Sequence, residues 1–420
     1  MLHARFRSVL LKRRSAINVY KMAWRNVWRN KRRTIVTIAA MTLALIVTIC
    51  YQGIVQGYLD NMERNLLDYA VGDVQIFAPD YRDNPSIYKR IIDSDSLRKK
   101  LEDAGFKATE RLLAAGLGAA GDTSSGVMFI GIDIERDAKV SLIYTQLISG
   151  KWLDDDDRNG VVLGRRLART LDITTGDKLV VLGQASDGSM ANEIFSVRGV
   201  LKGVSDSADR SGIFMTSGTF RNLMAISDGA HQMIVRRPPE LDLSSAAIKV
   251  RSLAPDADVK TWREIMPTIS SMLDSTQGMI AVMSFIIYIA IGILILNAML
   301  MAVFERVREL GIMKALGFGP TGVVALIFLE TAYQTGLAIV SALIGGAPLF
   351  WYLSKYGISM GGDTGIAMMG LAWDPVWYAV ISVESTYTPV SMLIFVVGMA
   401  VCYPALKAAY INPIKAIQYH

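Results

Sequence analysis

Histidine and cysteine are almost absent from this 420-residue chain. The three histidines and two cysteines stand far apart, at His3, His231, His420, Cys50 and Cys402. Zinc sites need clustered His and Cys ligands, and a serine-histidine triad needs a histidine base, so both kinds of site are excluded. Residues 57–277 contain no cysteine and therefore no disulfide.

A phosphate-binding loop of the form G-x-x-x-x-G-K-[ST] is also missing. The nearest candidate, Gly176-Asp177-Lys178, lacks the preceding loop and is followed by Leu179. We therefore predict a non-catalytic chain, with no cofactor of its own. The acidic run 154–157 could attract a cation, but such runs are usually solvated turns, so we predict no metal site.

Charge is absent from three long apolar runs and nearly absent from a fourth. These runs are Thr34–Val55, Gly278–Phe304, Gly322–Tyr352 and Pro389–Leu406, and Glu330 is their only charged residue. A helix needs about 20 apolar residues to cross a hydrocarbon layer ~30 Å thick, and the last run just reaches the lower limit. We predict an α-helical membrane protein with four transmembrane helices, at 34–56, 278–304, 321–353 and 389–409.

Basic residues are concentrated on one side of the predicted spans. Residues 1–33 hold eleven Lys and Arg and no acidic residue. With 305–320 and the tail after Leu406, that side carries a net charge of +14, whereas the segments 57–277 and 354–388 together carry −7. The positive-inside rule predicts that both termini and 305–320 are cytoplasmic, the tail being 410–420.

Residues 17–33 combine an aromatic face with a basic one. One face has Ile17, Tyr20, Trp24, Val27 and Trp28 at helical spacing, and the other has Lys21, Arg25, Arg29 and the basic run 31–33. Trp beside Arg is typical of a helix that lies on a membrane, so we interpret 1–33 as a cytoplasmic amphipathic helix in contact with lipid. A nucleic-acid patch is the competing interpretation. The position directly before a span argues against it.

Residues 57–277 are long enough for one or two folded domains. Strand-like runs fall at 73–79, 126–133, 159–164, 178–182, 193–201, 212–216 and 231–237, and helical patterns at 94–104, 165–171, 217–226, 244–253 and 264–276. Their irregular alternation predicts a large extracytoplasmic α+β domain. The segment 354–388 is predicted to be an extracytoplasmic loop, and its role stays open.

The polar stretch 305–320 lies between two apolar runs. Glu305 and Glu309 are four residues apart with Arg306 and Arg308 beside them, a spacing that suits a short amphipathic helix with internal ion pairs. Gly317 and Gly319 would end this helix ahead of a proline. The alternative is an ordinary cytoplasmic loop.

The letters ERVRELGIMKALG in this stretch resemble the coupling helix of FtsX/MacB/LolCE-type ABC transporter permeases. Two other stretches also show a resemblance. VVLGRRLARTLDITTGDKLVVLG resembles the outer-domain signature of MacB and LolC/LolE, and YPALKAAYINPIKAI resembles the tail of LolC and LolE. The resemblance implies a permease in the bacterial inner membrane, in which a helix beneath the membrane contacts an ATPase.

The resemblance also implies partners and coupling residues. A dimer of separate P-loop ATPase subunits would bind ATP and Mg²⁺, a second permease copy or a paralogue would complete the complex, and a periplasmic lipoprotein carrier or adaptor is a further candidate; no nucleic acid is involved. The implied coupling residues are Glu305, Arg306, Arg308, Glu309, Leu310, Gly311, Lys314 and Gly317. Leu310 is expected to make an apolar contact with the ATPase.

The third apolar run has small residues at helix-packing spacing. Ala338, Ala342 and Gly346 are four apart, an interval that lets helices approach closely in lipid. Gly53 and Gly57 are predicted to do the same in the first run. Glu330 is costly to bury, so it should face protein or water, and we favour a packing or coupling role for it over proton transport.

The predicted function is mechanical transmission of ATP hydrolysis to the outer domain. The features similar to LolC/LolE favour release of lipoproteins or other lipophilic substrates from the outer leaflet. Two alternatives stay open: a drug or peptide exporter of the MacB type, and an FtsX-like regulator of cell-wall hydrolases.

Overall fold

A computed structural model describes residues 19–203, 205–359, 367–368, 371–372 and 376–412. The chain divides into two compact units. The helical unit comprises 1–58, 274–358 and 377–420, and the sheet unit comprises 59–273 and 359–376. Parts of the predicted segments 1–33, 354–388 and 410–420 lie outside the described residues.

The helices follow one another from the first described residue to near the end of the chain. They are α1 (19–29), α2 (Lys31–Leu66), α3 (Ser94–Asp103), α4 (Ile134–Val140), α5 (Arg165–Thr170), α6 (Asp206–Ser211), α7 (Ser217–Met224), α8 (Leu243–Leu253), α9 (Trp262–Ile265), α10 (Pro267–Glu305), α11 (Val307–Ala315), α12 (Pro320–Tyr356) and α13 (Val383–Ala409). A single π turn, Leu67–Val71, follows α2.

Four of these helices, α2, α10, α12 and α13, are long and apolar enough to cross a membrane. They coincide with the four apolar runs of the sequence, and α2 and α10 continue well beyond them. Since backbone groups in lipid must find their hydrogen bonds within the segment, uninterrupted helix is the structure that these runs require. The core of the helical unit is built from all four, with side chains such as Leu45, Ile295, Val323 and Leu393.

The glycines of α2 have a different role from the predicted one. A Cβ on Gly57 would collide with the carbonyl oxygen of Tyr378, and one on Gly53 would lie 2.8 Å from the Ile381 side chain. The Val380 amide donates to the Gly53 carbonyl at 2.9 Å. These glycines therefore admit an extended segment before α13, where the sequence led us to expect a second helix.

The sheet unit contains one ten-stranded mixed sheet. Its strands are β1 (Val74–Phe77), β2 (Lys107–Ala120), β3 (Thr123–Ile132), β4 (Leu147–Gly150), β5 (Gly160–Leu163), β6 (Lys178–Gln184), β7 (Met190–Leu201), β8 (Gly212–Thr216), β9 (Gln232–Arg236) and β10 (Asp258–Thr261). The order is β10-β1-β9-β2-β3-β8-β5-β7-β4, and β6 pairs with β2 and β7. Four two-residue strands follow α12: β11 (Ile358–Ser359), β12 (Ala367–Met368), β13 (Leu371–Ala372) and β14 (Val376–Trp377).

Two kinds of pairing give the sheet its mixed character. β3 pairs with β8, and β5 with β7, in parallel, whereas the other described pairings are antiparallel. Helices cover the sheet: α5 and α7 pack over Phe129 and Val181 in one core, and α3 and α8 pack over Ile76 and Val235 in another. The parallel pairs and their short helices account for the irregular alternation in the sequence.

A single histidine is buried inside the sheet unit. The Leu113 amide donates to Nδ1 of His231 at 3.1 Å, and Nε2 lies 3.1 Å from the Ile87 carbonyl, so the ring is held neutral with its proton on Nε2. Burial, with smaller contributions from Arg90 and Arg221, lowers the pKa of His231 from 6.5 to about 4. A protonated ring would lose the bond from Leu113.

We expect acid to weaken the sheet unit through this histidine. Because the folded pKa is below the unfolded one, its contribution is complete above pH 6.5 and is lost as the pH falls to 4, which amounts to about 3 kcal/mol. Chemical denaturation of residues 59–273 across this range would measure the loss. His231→Gln offers an acceptor and a donor without titrating, so its stability should change less with pH. Equal pH dependence of the two proteins would contradict this assignment.

Candidate functional site

The site lies where α10 ends and α11 begins. Arg306 leaves the helical conformation (φ −112°, ψ 13°), and the chain resumes as α11 at Val307. At the other end Gly317 adopts φ +94°, a conformation that disfavours residues with a Cβ, and the Phe318 amide donates to the Met313 carbonyl at 3.0 Å. Gly319 then caps α12, which starts with Pro320. The sequence thus isolates α11 as a separate, short helix.

Two ion pairs join α11 and the last residue of α10 to the first described helices of the chain. Arg29 of α1 donates to Glu309 at 2.7 Å, and Arg33 of α2 donates to Glu305 at 2.7 Å. The residues of each pair are more than 270 positions apart. The predicted ion pairs within the helix are therefore replaced by pairs between helices, as far as the described contacts show.

A third ion pair is buried beneath the turn. Arg306 donates to both carboxylate oxygens of Glu330, at 2.9 and 3.2 Å, and to the Asn26 carbonyl at 3.2 Å. The side chains of Arg306 and Glu330 are only 11% and 10% exposed. Glu330 thus faces protein, and its partner holds the junction of α10 and α11 against α12 and α1.

The far end of α11 is fastened to the last helix. The Lys314 ammonium donates to the carbonyls of Ala409 and Ile411, both at 2.6 Å. Ala409 is the last residue of α13 and Ile411 lies two residues beyond it, at a helix end where orphan acceptors and the helix dipole favour a cation. With this bond, α11 and the two residues before it contact α1, α2, α12 and the end of α13.

The faces of α11 separate the predicted coupling residues into two groups. Val307, Leu310 and Gly311 are buried, and Leu310 belongs to the core of the helical unit. Arg306 and Lys314 also use their charges internally. The structure therefore corrects the expectation that Leu310 offers an apolar contact to a partner, because its side chain is already enclosed by the chain's own helices.

The other face of α11 is open. Glu305, Arg308, Glu309 and Gly317 are exposed there, and two apolar residues that the sequence analysis did not single out join them: Ile312, 45% exposed, and Leu316, 83% exposed. They are four residues apart and so lie on one side of the helix. Their helical spacing, on the side opposite Val307 and Leu310, was the sequence signal from which an exposed apolar surface could have been predicted. We call Ile312 and Leu316 the exposed apolar pair.

The small residues of α12 pack against α2. Ala338, Ala342 and Gly346 are all buried, Thr42 donates to the Ala338 carbonyl at 3.3 Å, and a Cβ on Gly346 would lie 3.2 Å from Ile46. Such close approach is what small residues permit between helices in lipid.

Acidic residues and a cavity are further candidate features of the described residues. No group of three or more His, Cys, Asp or Glu among them could hold a metal ion. The acidic run 154–157 forms a turn in which Asp157 accepts from Arg198 at 2.5 Å. A cavity of about 310 Å³ between α12 and α13 is lined mainly by apolar side chains such as Phe328 and Ile394.

These features define a class: a chain with four helices long and apolar enough to cross a membrane, a large sheet domain between the first two, and a short amphipathic helix between the second and third. The sequence comparison is more specific. The MacB-like periplasmic core domain matches residues 34–253, more than half of the chain, and the FtsX-like permease C-terminal domain matches residues 281–413. The chain belongs to the MacB/FtsX family of ABC transporter permeases.

Individual relatives are distant. The chain is 25% identical over 280 residues to the uncharacterized ABC transporter permease MJ1507 of Methanocaldococcus jannaschii, and the aligned part covers 64% of each chain. It is 23% identical to the lipoprotein-releasing system transmembrane protein LolC of Xylella fastidiosa, over 71% of this chain and 74% of LolC. It is 25% identical to the macrolide export ATP-binding/permease protein MacB of Syntrophobacter fumaroxidans, over 50% of this chain and 25% of MacB.

Proposed function

We propose that this permease transmits the work of a separate ATPase through α11, and that the work releases lipoproteins or other lipophilic substrates from the outer leaflet of the bacterial inner membrane. One observation carries the coupling part: α11 presents the exposed apolar pair outward, while Glu309 and Lys314 of α11 contact α1 and the end of α13. The two residues directly before α11, Glu305 and Arg306, contact α2 and α12. A push on this helix therefore acts on several membrane helices at once.

The coupling residues then have two kinds of role. Glu305, Arg308, Glu309 and Gly317 lie on the open side with the exposed apolar pair and would contact a P-loop ATPase dimer, which binds ATP and Mg²⁺. The remaining four, Arg306, Leu310, Gly311 and Lys314, would act by holding α11 against the other helices.

A pair of permeases is part of the proposal. Four spanning helices are too few to enclose a wide channel, so a second copy or a paralogue would complete the complex. Substrates would be handled on the outer side by the sheet unit, with a periplasmic lipoprotein carrier or adaptor as a further partner.

Lipoprotein release is supported by the likeness to LolC and by energetics. Extracting an acyl chain from a bilayer costs about 0.8 kcal/mol per buried CH₂, so ATP-driven work is needed. Met adapts to chains of varied shape, and the exposed Met279 and Met283 of α10 supply such a surface. The match to MacB supports a second candidate, export of hydrophobic drugs or peptides, and the FtsX-like domain a third, regulation of cell-wall hydrolases.

Depletion of the protein tests these three functions against one another. We expect lipoproteins to accumulate in the inner membrane while drug susceptibility changes little; membrane fractionation and growth inhibition measure the two. Normal lipoprotein sorting with increased drug sensitivity would replace the proposal by drug or peptide export. Normal results in both, with defective cell-wall hydrolysis, would favour the regulator.

The proposed orientation has its own test. In a variant without Cys50 and Cys402, a new cysteine at the exposed Asp155 should react with a membrane-impermeant thiol reagent on intact spheroplasts, and one at Leu316 should react only after lysis. Labelling of position 316 alone in intact spheroplasts would reverse the topology.

A further inference from the structure

The first described helix, α1, has three distinct faces. Ala23 and Val27 are buried against the helical unit. Tyr20, Trp24 and Trp28 follow one another at intervals of four residues and are all exposed. Beside them lies a basic stripe, also at intervals of four: Lys21, Arg25 and Arg29. We call the aromatic and basic residues together the α1 outer surface.

The basic stripe is only partly neutralised. Arg29 pairs with Glu309, but Lys21 and Arg25 are exposed and have no acidic partner among the residues that the structure describes. Lys31 and Arg32, just after the bend at Asn30, are likewise exposed and have no acidic partner among the described residues. No acidic residue occurs before Asp60 in the sequence. The α1 outer surface therefore fits an anion that the described part of the chain does not supply.

The aromatic residues locate that anion. Trp24 lies edge-to-face with Trp28, at 5.9 Å between ring centroids, and with Tyr333 of α12, at 5.3 Å. The Thr34 hydroxyl donates to the Val27 carbonyl at 2.6 Å across the bend at Asn30, so α1 is joined directly to the start of a spanning helix. Trp and Tyr prefer the level of the lipid headgroups. An anion at that level is a phospholipid phosphate.

We propose that the α1 outer surface is a binding site for anionic phospholipid headgroups. Lys21 and Arg25 bind the phosphate of a headgroup whose net charge is negative. Trp24 and Trp28 lie among the adjoining glycerol and upper acyl carbons. A zwitterionic headgroup offers the same phosphate but adds a cation, so it is bound less well by this stripe.

The site is linked to α11, and this second step rests on the proposed function. Three contacts connect the two helices and the turn between α10 and α11: Arg29 with Glu309, Arg33 with Glu305, and Arg306 with the Asn26 carbonyl. A lipid that holds α1 at the membrane surface also holds α11 in place. Anionic lipid then increases the stimulation of ATPase activity by the permease.

The binding step is tested in nanodiscs that contain the whole chain. Quenching of Trp24 and Trp28 is compared for brominated phosphatidylglycerol and brominated phosphatidylcholine, and a Trp24→Phe/Trp28→Phe variant gives the signal of the other tryptophans. A cation near the surface favours anionic lipid about fivefold. We expect the preference to fall by about 25-fold in Lys21→Gln/Arg25→Gln, and to persist in the control Lys99→Gln/Lys100→Gln, which removes two exposed cations from α3.

Equal quenching by both lipids, or an unchanged preference in Lys21→Gln/Arg25→Gln, would overturn the site. Inorganic phosphate is compared with chloride at equal ionic strength: if phosphate alone abolishes the preference, the stripe takes free phosphate and the headgroup assignment is rejected.

ATPase stimulation is then measured with and without phosphatidylglycerol. Lipid preference without any effect on ATPase activity would reject the link to α11 and leave the lipid site standing.

Discussion

Glu330→Gln is expected to destabilise the helical unit by about 3–5 kcal/mol, because it leaves Arg306 buried without its counter-ion. Both side chains are about nine-tenths buried, and the guanidinium has only the Asn26 carbonyl as a further described acceptor. An exposed pair is a suitable control: Glu309→Gln removes the partner of Arg29 and should cost less than about 1 kcal/mol. Unfolding in mixed micelles with increasing SDS measures both variants.

The double variant Arg306→Met/Glu330→Leu separates stability from coupling. Replacing both members of a buried ion pair by apolar side chains of similar size restores most of the lost stability. We expect this protein to be about as stable as the wild type, yet to have lost the hydrogen bonds that hold the start of α11 to α12 and α1. ATPase activity should then no longer be coupled to transport. A stable double variant with normal coupling would restrict the ion pair to packing.

Leu316→Asp is expected to reduce the affinity for the ATPase by more than about 100-fold, and Ile312→Asp to have a similar effect. In the proposed complex each change places an unpaired carboxylate in an apolar contact. Both side chains are exposed in the free permease, so its own stability should hardly change. Co-purification of the two subunits and thermal stability of the permease alone are the two measurements.

Thr321→Asp is the matched control, because it adds the same charge at an exposed position five residues from Leu316. It should co-purify normally. Leu310→Asp, by contrast, would also lose the partner, but by disrupting the core to which Leu310 belongs, so it does not report on docking. Full recovery of the ATPase with Leu316→Asp and Ile312→Asp would show that the exposed apolar pair is not the docking surface.

The strands that the sequence predicted are the ones rich in Val, Ile and Phe. β5, β8 and β9 fall at the predicted positions, because β-branched and aromatic residues favour a pleated, half-buried surface. The longest strand, β2, was not predicted, since KATERLLAAGLGAA is rich in Ala and Gly. Its pairing with β3, β6 and β9 overrides that weak propensity, and such long-range pairing is not visible along the chain.

The candidate site divides in the same way. Spacing within 305–320 indicated a helix and its C-terminal end, because the helical repeat and the glycine stop are local properties. The break at Arg306, where α11 starts, was not predicted. The partners of Arg306, Glu309 and Lys314 were not predictable, since each lies on or just after another helix, between 24 and 280 positions away. A charged side chain in such a stretch looks the same whether it faces solvent or closes a buried pair.

The bond from Lys314 to the end of α13 has a consequence for biosynthesis. Its acceptors, the carbonyls of Ala409 and Ile411, are made 95 and 97 residues after Lys314. While the chain is still being synthesised, α11 has left the ribosome but lacks the contact that fixes its far end. The helix α13 must therefore be in place before α11 reaches its final position. In the proposed complex, a permease truncated before α13 would therefore offer the ATPase an α11 without its far-end contact, and assembly would favour chains that include α13.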